Sequence, residues 1–151
     1  MNLIIIRDKL KEGLAMVSRA IGAEQKLPIL KNVLLTVGDN KATLVATNLE
    51  VAITYGILGK VIAGGKITVP AGILTNIIQN IQSERLSLEV KKTILEVRTD
   101  NYEAKIQGLG AEDFPIIPKI SNDDFIEIDG GVLKEALNQT LIATQFSELR
   151  A

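Results

Sequence analysis

The chain has 151 residues, 46% of them hydrophobic and only 3% aromatic, which supplies an ample aliphatic core and excludes a disordered chain. With 17 basic and 18 acidic residues the net charge is −1, which argues against nucleic-acid binding driven by bulk positive charge. Cys and His are absent, so disulfides, thiolate chemistry, His-based triads and His/Cys zinc sites are excluded, and a reducing, cytoplasmic setting is expected.

The first apolar run, Leu3-Ile4-Ile5-Ile6, is β-rich and is broken by Arg7 and Asp8, so it is too short for a signal peptide or a membrane span. A helix follows to about Ile21. Leu10, Leu14, Val17 and Ile21 recur at spacings of 4, 3 and 4 and share one face, with Asp8 as the expected N-cap and Gly22 as the stop. The opposite face carries Glu12, Ala15 and Arg19, flanked by Lys9 and Lys11. Leu27-Pro28-Ile29-Leu30 leads into β-like runs at 33–37, 42–46 and 51–58, with a turn at Gly38-Asp39-Asn40 and a loop at Ile62-Ala63-Gly64-Gly65-Lys66.

Ile67-Thr68-Val69 then opens a second unit. Pro70 starts its helix, where a missing N–H does no harm. Leu74, Ile77, Ile78 and Ile81 share the core face, and the other face holds Gly72, Asn76, Gln79 and Asn80. From Pro70 to Gln82 no residue is charged, which is unusual for a solvated helix. Three strands are expected at 86–90, 93–97 and 102–107. Residues 108–124 read as a linker with Pro115 and Pro118, before Phe125-Ile126-Glu127-Ile128 and a helix from about Gly131 to Thr144 open a third unit.

The strand starts at 3, 67 and 125 lie 64 and 58 residues apart, a period that points to duplicated supersecondary units. The expected fold is α+β: two β-α-β-β-β halves in residues 1–122, with antiparallel sheets and both helices on one side. Residues 123–151 read as the opening strand and helix of a further domain, so the chain reads as part of a longer protein. No phosphate-binding loop occurs, and no nucleophile has a recognisable base partner, so neither catalysis nor a cofactor is expected. The two non-core helix faces fit a surface that touches phosphates loosely without reading bases.

Several motifs carry a resemblance, in order and in spacing: Leu27-Pro28-Ile29-Leu30 with Asn32, Ala46-Thr47-Asn48-Leu49-Glu50, Val69-Pro70-Ala71, Asp113-Phe114-Pro115 and Ala143-Thr144-Gln145-Phe146-Ser147. Together they resemble the bacterial sliding clamp, the beta subunit of DNA polymerase III, over essentially the whole chain. The resemblance implies the DNA-clamp fold, with three similar domains per subunit and a homodimeric ring whose helices line the hole. It implies a processivity factor that encircles double-stranded DNA without sequence preference, and that binds polymerase and clamp loader through domains outside this stretch. The alternative is a stand-alone, clamp-like interaction domain. In the ring, Lys9, Lys11, Arg19, Lys26, Asn76, Gln79 and Asn80 are expected to face DNA. The family often carries an Arg where this chain has Glu24. Tyr102, Glu103, Ala104, Lys105, Ile106 and Gln107 map to the edge strand that pairs with the other subunit.

Overall fold

The computed structural model describes residues 1–21, 27–118, 125–141 and 143. It divides into two compact units, Met1–Ile117 and Pro118–Ala151; the expected boundary at 122 lies outside the described residues. In the first unit the order is β1 (Asn2–Ile6), α1 (Arg7–Val17), a 3-10 turn (Ser18–Ala20), a second 3-10 turn (Pro28–Lys31), β2 (Asn32–Gly38), β3 (Lys41–Thr47), β4 (Ala52–Leu58) and β5 (Lys60–Ala63). It continues with β6 (Gly65–Pro70), α2 (Ala71–Asn80), β7 (Arg85–Lys91), β8 (Ile94–Arg98) and β9 (Glu103–Gln107).

The strands form two antiparallel sheets, ordered β5-β1-β7-β8-β9 and β4-β3-β2-β6. The leading strand of each half therefore lies beside the hairpin strands of the other. β1 pairs with β7, joining Ile6 to Arg85 and Leu3 to Leu88. β6 pairs with β2 in the same way, joining Pro70 to Asn32 and Ile67 to Leu35. Each helix is the crossover between the sheets: α1 leaves β1 without a linker, and α2 leaves β6 likewise.

Alternation along the strands turns one face of each sheet inward. Leu3, Ile5, Leu86, Leu88, Leu95 and Val97 from one sheet join Val33, Leu35, Leu44, Ile57 and Val69 from the other in a single core. The helices fill it with Leu10, Leu14 and Val17 from α1 and Leu74, Ile78 and Ile81 around α2; Ile21 and Ile77 pack at its margin. α1 and α2 contact each other, as the two apolar stripes predict. Leu14 is fully buried.

Four expectations are corrected. The loop expected at residues 62–66 contains the end of β5 and the start of β6, because β1 offers an antiparallel edge on which Lys60, Val61 and Ala63 pair with Ile4, Leu3 and Asn2. Asp8 is not the N-cap of α1. The cap position falls two residues earlier, at Ile6, with no side-chain cap, and Asp8 sits in the first turn, where its charge suits the helix dipole. α1 also ends at Val17, with a 3-10 turn carrying the chain on to Ala20. Finally, residues 125–128 form no strand. β-propensity yields a strand only when a neighbour completes the ladder, and no described residue pairs with them.

The second unit contains α3 (Gly130–Leu141), none of whose residues is buried. Asp129 caps it, its Oδ1 accepting from the N–H groups of Gly131 at 2.9 Å and Val132 at 3.0 Å.

Candidate nucleic-acid interface

With Leu10, Leu14 and Val17 committed to the core, helical geometry exposes Lys11 and Ala15, and the 3-10 turn that follows exposes Arg19. Lys9 is engaged differently. Its Nζ donates to Glu12 Oε2 at 3.3 Å. The Tyr55 hydroxyl, presented by β4, holds the Glu12 carboxyl below the usual carboxylate range, and Lys9 adds to this. The same contact raises the Tyr55 hydroxyl above its ordinary value. Lys9 is thus charge-compensated at the β4 side of the helix. Among the described residues, Lys11 and Arg19 form no ion pair.

On α2, Asn76, Gln79 and Asn80 are exposed on the face opposite Leu74 and Ile78. Asn80 Nδ2 donates to the Asn76 backbone carbonyl at 2.7 Å. The exposed surface therefore combines two unpaired cations, Lys11 on α1 and Arg19 on the 3-10 turn that follows it, with neutral amides on α2. Glu24 and Lys26 lie outside the described residues.

The expected edge strand is β9, which ends the five-stranded sheet. Tyr102 precedes it, with its carbonyl accepting from the Thr99 N–H at 2.9 Å. Ala104 and Ile106 turn inward, while Glu103, Lys105 and Gln107 are exposed. Glu103 and Lys105 approach to 3.4 Å on the outer face. They continue a charge lattice across three strands that sequence reasoning missed. Arg98 lies 2.6 Å from Glu96, 3.5 Å from Glu89 and 3.6 Å from Glu103, and Lys91 lies 3.0 Å from Glu96. Glu96 is only 5% exposed. The Lys91 hydrogen bond, helped by the charges of Arg98 and Lys105, holds its carboxyl below the usual range against the opposing effect of burial. The signal was present in the sequence as Glu89-x-Lys91, Glu96-x-Arg98 and Glu103-x-Lys105, an alternation that puts every charge on one sheet face.

The motif residues of the first unit hold loops in place. Thr47 Oγ1 accepts from the Leu49 N–H at 3.0 Å and donates to the Val51 carbonyl at 2.9 Å. Asn48 Oδ1 accepts from the N–H groups of Glu50 at 3.0 Å and Val51 at 2.7 Å. This cage keeps Leu49 at φ +77, in the left-handed region that non-glycine residues rarely adopt. Buried Asn32 donates to Thr68 Oγ1 at 3.4 Å, and Thr68 in turn donates to the Leu109 carbonyl at 3.2 Å. Phe114 of the Asp-Phe-Pro motif is buried. The last motif lies outside the described residues except for Ala143.

Residues 1–118 match the family model of the DNA polymerase III beta subunit, N-terminal domain. The chain belongs to this family.

Among clamp relatives it is 28% identical over 153 residues to the beta sliding clamp of Synechococcus elongatus, covering 99% of this chain and 41% of that protein. Against the beta sliding clamp of Bacillus subtilis the identity is 24% over 159 residues, covering 99% and 42%. The crystal structure of the DNA polymerase III subunit beta from Pseudomonas aeruginosa superposes with a TM-score of 0.89 at 27% identity, over 99% of this chain and 41% of that one. The sliding clamp structure from Bacillus subtilis shares the fold at a TM-score of 0.92 and 23% identity, over 99% and 42%. The chain thus spans about two fifths of the length of these clamps.

Proposed function

We propose that this chain contributes the first domain, up to about residue 122, and the start of the next to a clamp that encircles double-stranded DNA. In this reading the clamp acts as a non-catalytic processivity factor of bacterial replication. The observation that carries the proposal is the match of residues 1–118 to the beta-subunit N-terminal domain. The exposed surface of α1, the 3-10 turn after it and α2 supports it, with Lys11 and Arg19 unpaired and Asn76, Gln79 and Asn80 neutral. Two cations and a set of amides suit a surface past which a duplex slides, because loose phosphate contact positions the protein without reading sequence. Affinity then comes from topology, which is consistent with a net charge of −1. Closure of a homodimeric ring would use the β9 edge, and polymerase and clamp loader would bind to parts of the clamp outside this stretch. No cofactor is required, and the setting is the cytoplasm.

Fluorescence anisotropy with a labelled linear duplex tests the reading. The chain is expected to bind with a Kd of roughly 10⁻⁴–10⁻⁶ M, as for non-specific contact. The double variant Lys11→Glu/Arg19→Glu should flatten the log K against log[salt] slope by up to about 1.8, for two phosphate contacts. Submicromolar, sequence-specific binding, or a slope unchanged by the double variant, would overturn it.

A further inference from the structure

The outer face of the five-stranded sheet changes character from one end to the other. At the end of β7 and along β8 and β9 its charges neutralise one another in the lattice described above. At β5, β1 and the start of β7 it is apolar, and the cations Lys60 and Arg85 stand alone. One register row runs Lys60, Ile4, Ser87, Arg98, Glu103 across all five strands, and the adjoining row pairs Ile6 with Arg85. Ile4 and Ile6 therefore lie between Lys60 on one side and Arg85 on the other. Leu58, at the corner between β4 and β5, is 83% exposed, and Ile6 is 43% exposed. These residues and Asn40 line a groove of about 610 Å³. Among the described residues, neither Lys60 nor Arg85 has an ion pair or a side-chain hydrogen bond, although Lys91, Arg98 and Lys105 on the same face are all paired.

We propose that this groove is a docking site for an extended acidic peptide of a partner protein, with two carboxylates about four residues apart on one face of the chain and an aliphatic side chain midway between them. Charge complementarity identifies the occupant. Two unpaired cations frame an aliphatic floor, so a ligand that covers Ile4, Ile6 and Leu58 must bring carboxylates to Lys60 and Arg85 or leave the charges half-buried and uncompensated. The spacing fits an extended chain. Lys60 and Arg85 are two strands apart and offset by two residues, or roughly 12 Å between backbones. Four extended residues span about 13 Å and return the side chain to the same face, so carboxylates at i and i+4 reach both cations through their flexible stems while the residue at i+2 covers the floor. The floor has no aromatic ring on which a base could stack, which separates this groove from a single-stranded nucleic-acid site. It also lies on the sheet surface, away from the helix pair assigned above to duplex DNA.

The test is a titration of the chain with a capped peptide of core Glu-Ser-Leu-Ser-Glu, followed by backbone amide shifts in NMR. Shifts are expected at Ile4, Ile6, Leu58, Lys60 and Arg85, and binding should weaken on raising salt. Lys60→Glu and Arg85→Glu, at exposed positions without partners, should each weaken binding at least 10-fold with the rest of the spectrum unchanged. Lys66→Glu, on the other sheet, should leave binding unaltered. A Lys-Ser-Leu-Ser-Lys core and a Glu-Ser-Ser-Ser-Glu core should both fail to bind. Shifts elsewhere, equal binding by the basic peptide, no loss in the two charge reversals, or stronger shifts from an oligothymidine than from the acidic peptide would each overturn the proposal.

Discussion

The same substitution is expected to have opposite effects at two helical glycines. Gly13 is buried where α1 crosses β4. A Cβ added there would sit 2.8 Å from Ile57 Cδ1 and 3.0 Å from both Leu44 Cδ1 and Tyr55 Cδ1. Carbon atoms prefer about 3.5–4.0 Å, so three neighbours must retreat by roughly 0.5–1 Å or the helix must lift. Overpacking of this kind costs about 1–3 kcal/mol, while removing a helical glycine returns about 0.8–1.0 kcal/mol. Leu44 and Ile57 are buried in the core and Tyr55 Cδ1 belongs to a rigid ring, which places the cost near the middle of that range, about 2 kcal/mol. Gly13→Ala should therefore destabilise by about 1 kcal/mol. With an unfolding entropy of about 2.1 cal/mol/K per residue over the first unit, Met1–Ile117, Tm should fall by about 4 °C. At Gly72, in the first turn of α2, an added Cβ meets nothing within 4 Å. Gly72→Ala should raise Tm by a few degrees, through propensity alone. Urea unfolding and calorimetry of both variants provide the assay. A Gly13→Ala protein stabilised as much as Gly72→Ala would refute the close approach of α1 to β4.

Leu14→Ala, at a fully buried position between helix and sheets, should cost about 2–5 kcal/mol in urea unfolding; a loss below about 1 kcal/mol would mean that the site is not packed as described. Because the Glu96 carboxyl titrates below its usual range when folded, it contributes stability at pH values above the unfolded carboxylate pKa, and this is lost as pH falls through the folded value. Glu96→Gln should thus narrow the stability difference between neutral and acid pH, and an unchanged pH profile would exclude the lattice as its source. Hydrogen exchange should find the amides of α3, where no residue is buried, far less protected than those of α1 and α2.

Local periodicity made α1, α2 and most of the strands legible, since an aliphatic stripe at helical spacing or an alternation of period two has one stable burial. It could not reveal which strands become neighbours. The four-residue β5 became a strand because β1 lay open beside it, whereas the more strand-like run at 125–128 formed none. Pairing is a tertiary event, and propensity is silent about it. The same gap hid the charge lattice, whose members share a face only once β7, β8 and β9 are in register. It also hid the engagement of Lys9, because Glu12 was in view but Tyr55, brought by β4, was not. The exposed helix faces were readable because they are whatever the core leaves over.

The exchange of leading strands between halves sets a timetable for synthesis. β1 is made first, but its main partner β7 begins only at Arg85. At about 5–20 residues per second, the run Leu3-Ile4-Ile5-Ile6 waits roughly 4–16 s for that partner. An unpaired aliphatic strand is the kind of segment that recruits other chains. β5, which begins at Lys60, is made 25 residues before β7, so the strand that breaks the repeat is expected to cover the opposite edge of β1 first. Val61→Pro, which removes a donor from β5, is expected to lower the soluble yield of freshly made protein by a larger factor than its change in Tm would explain, and equal proportional losses would rule this role out.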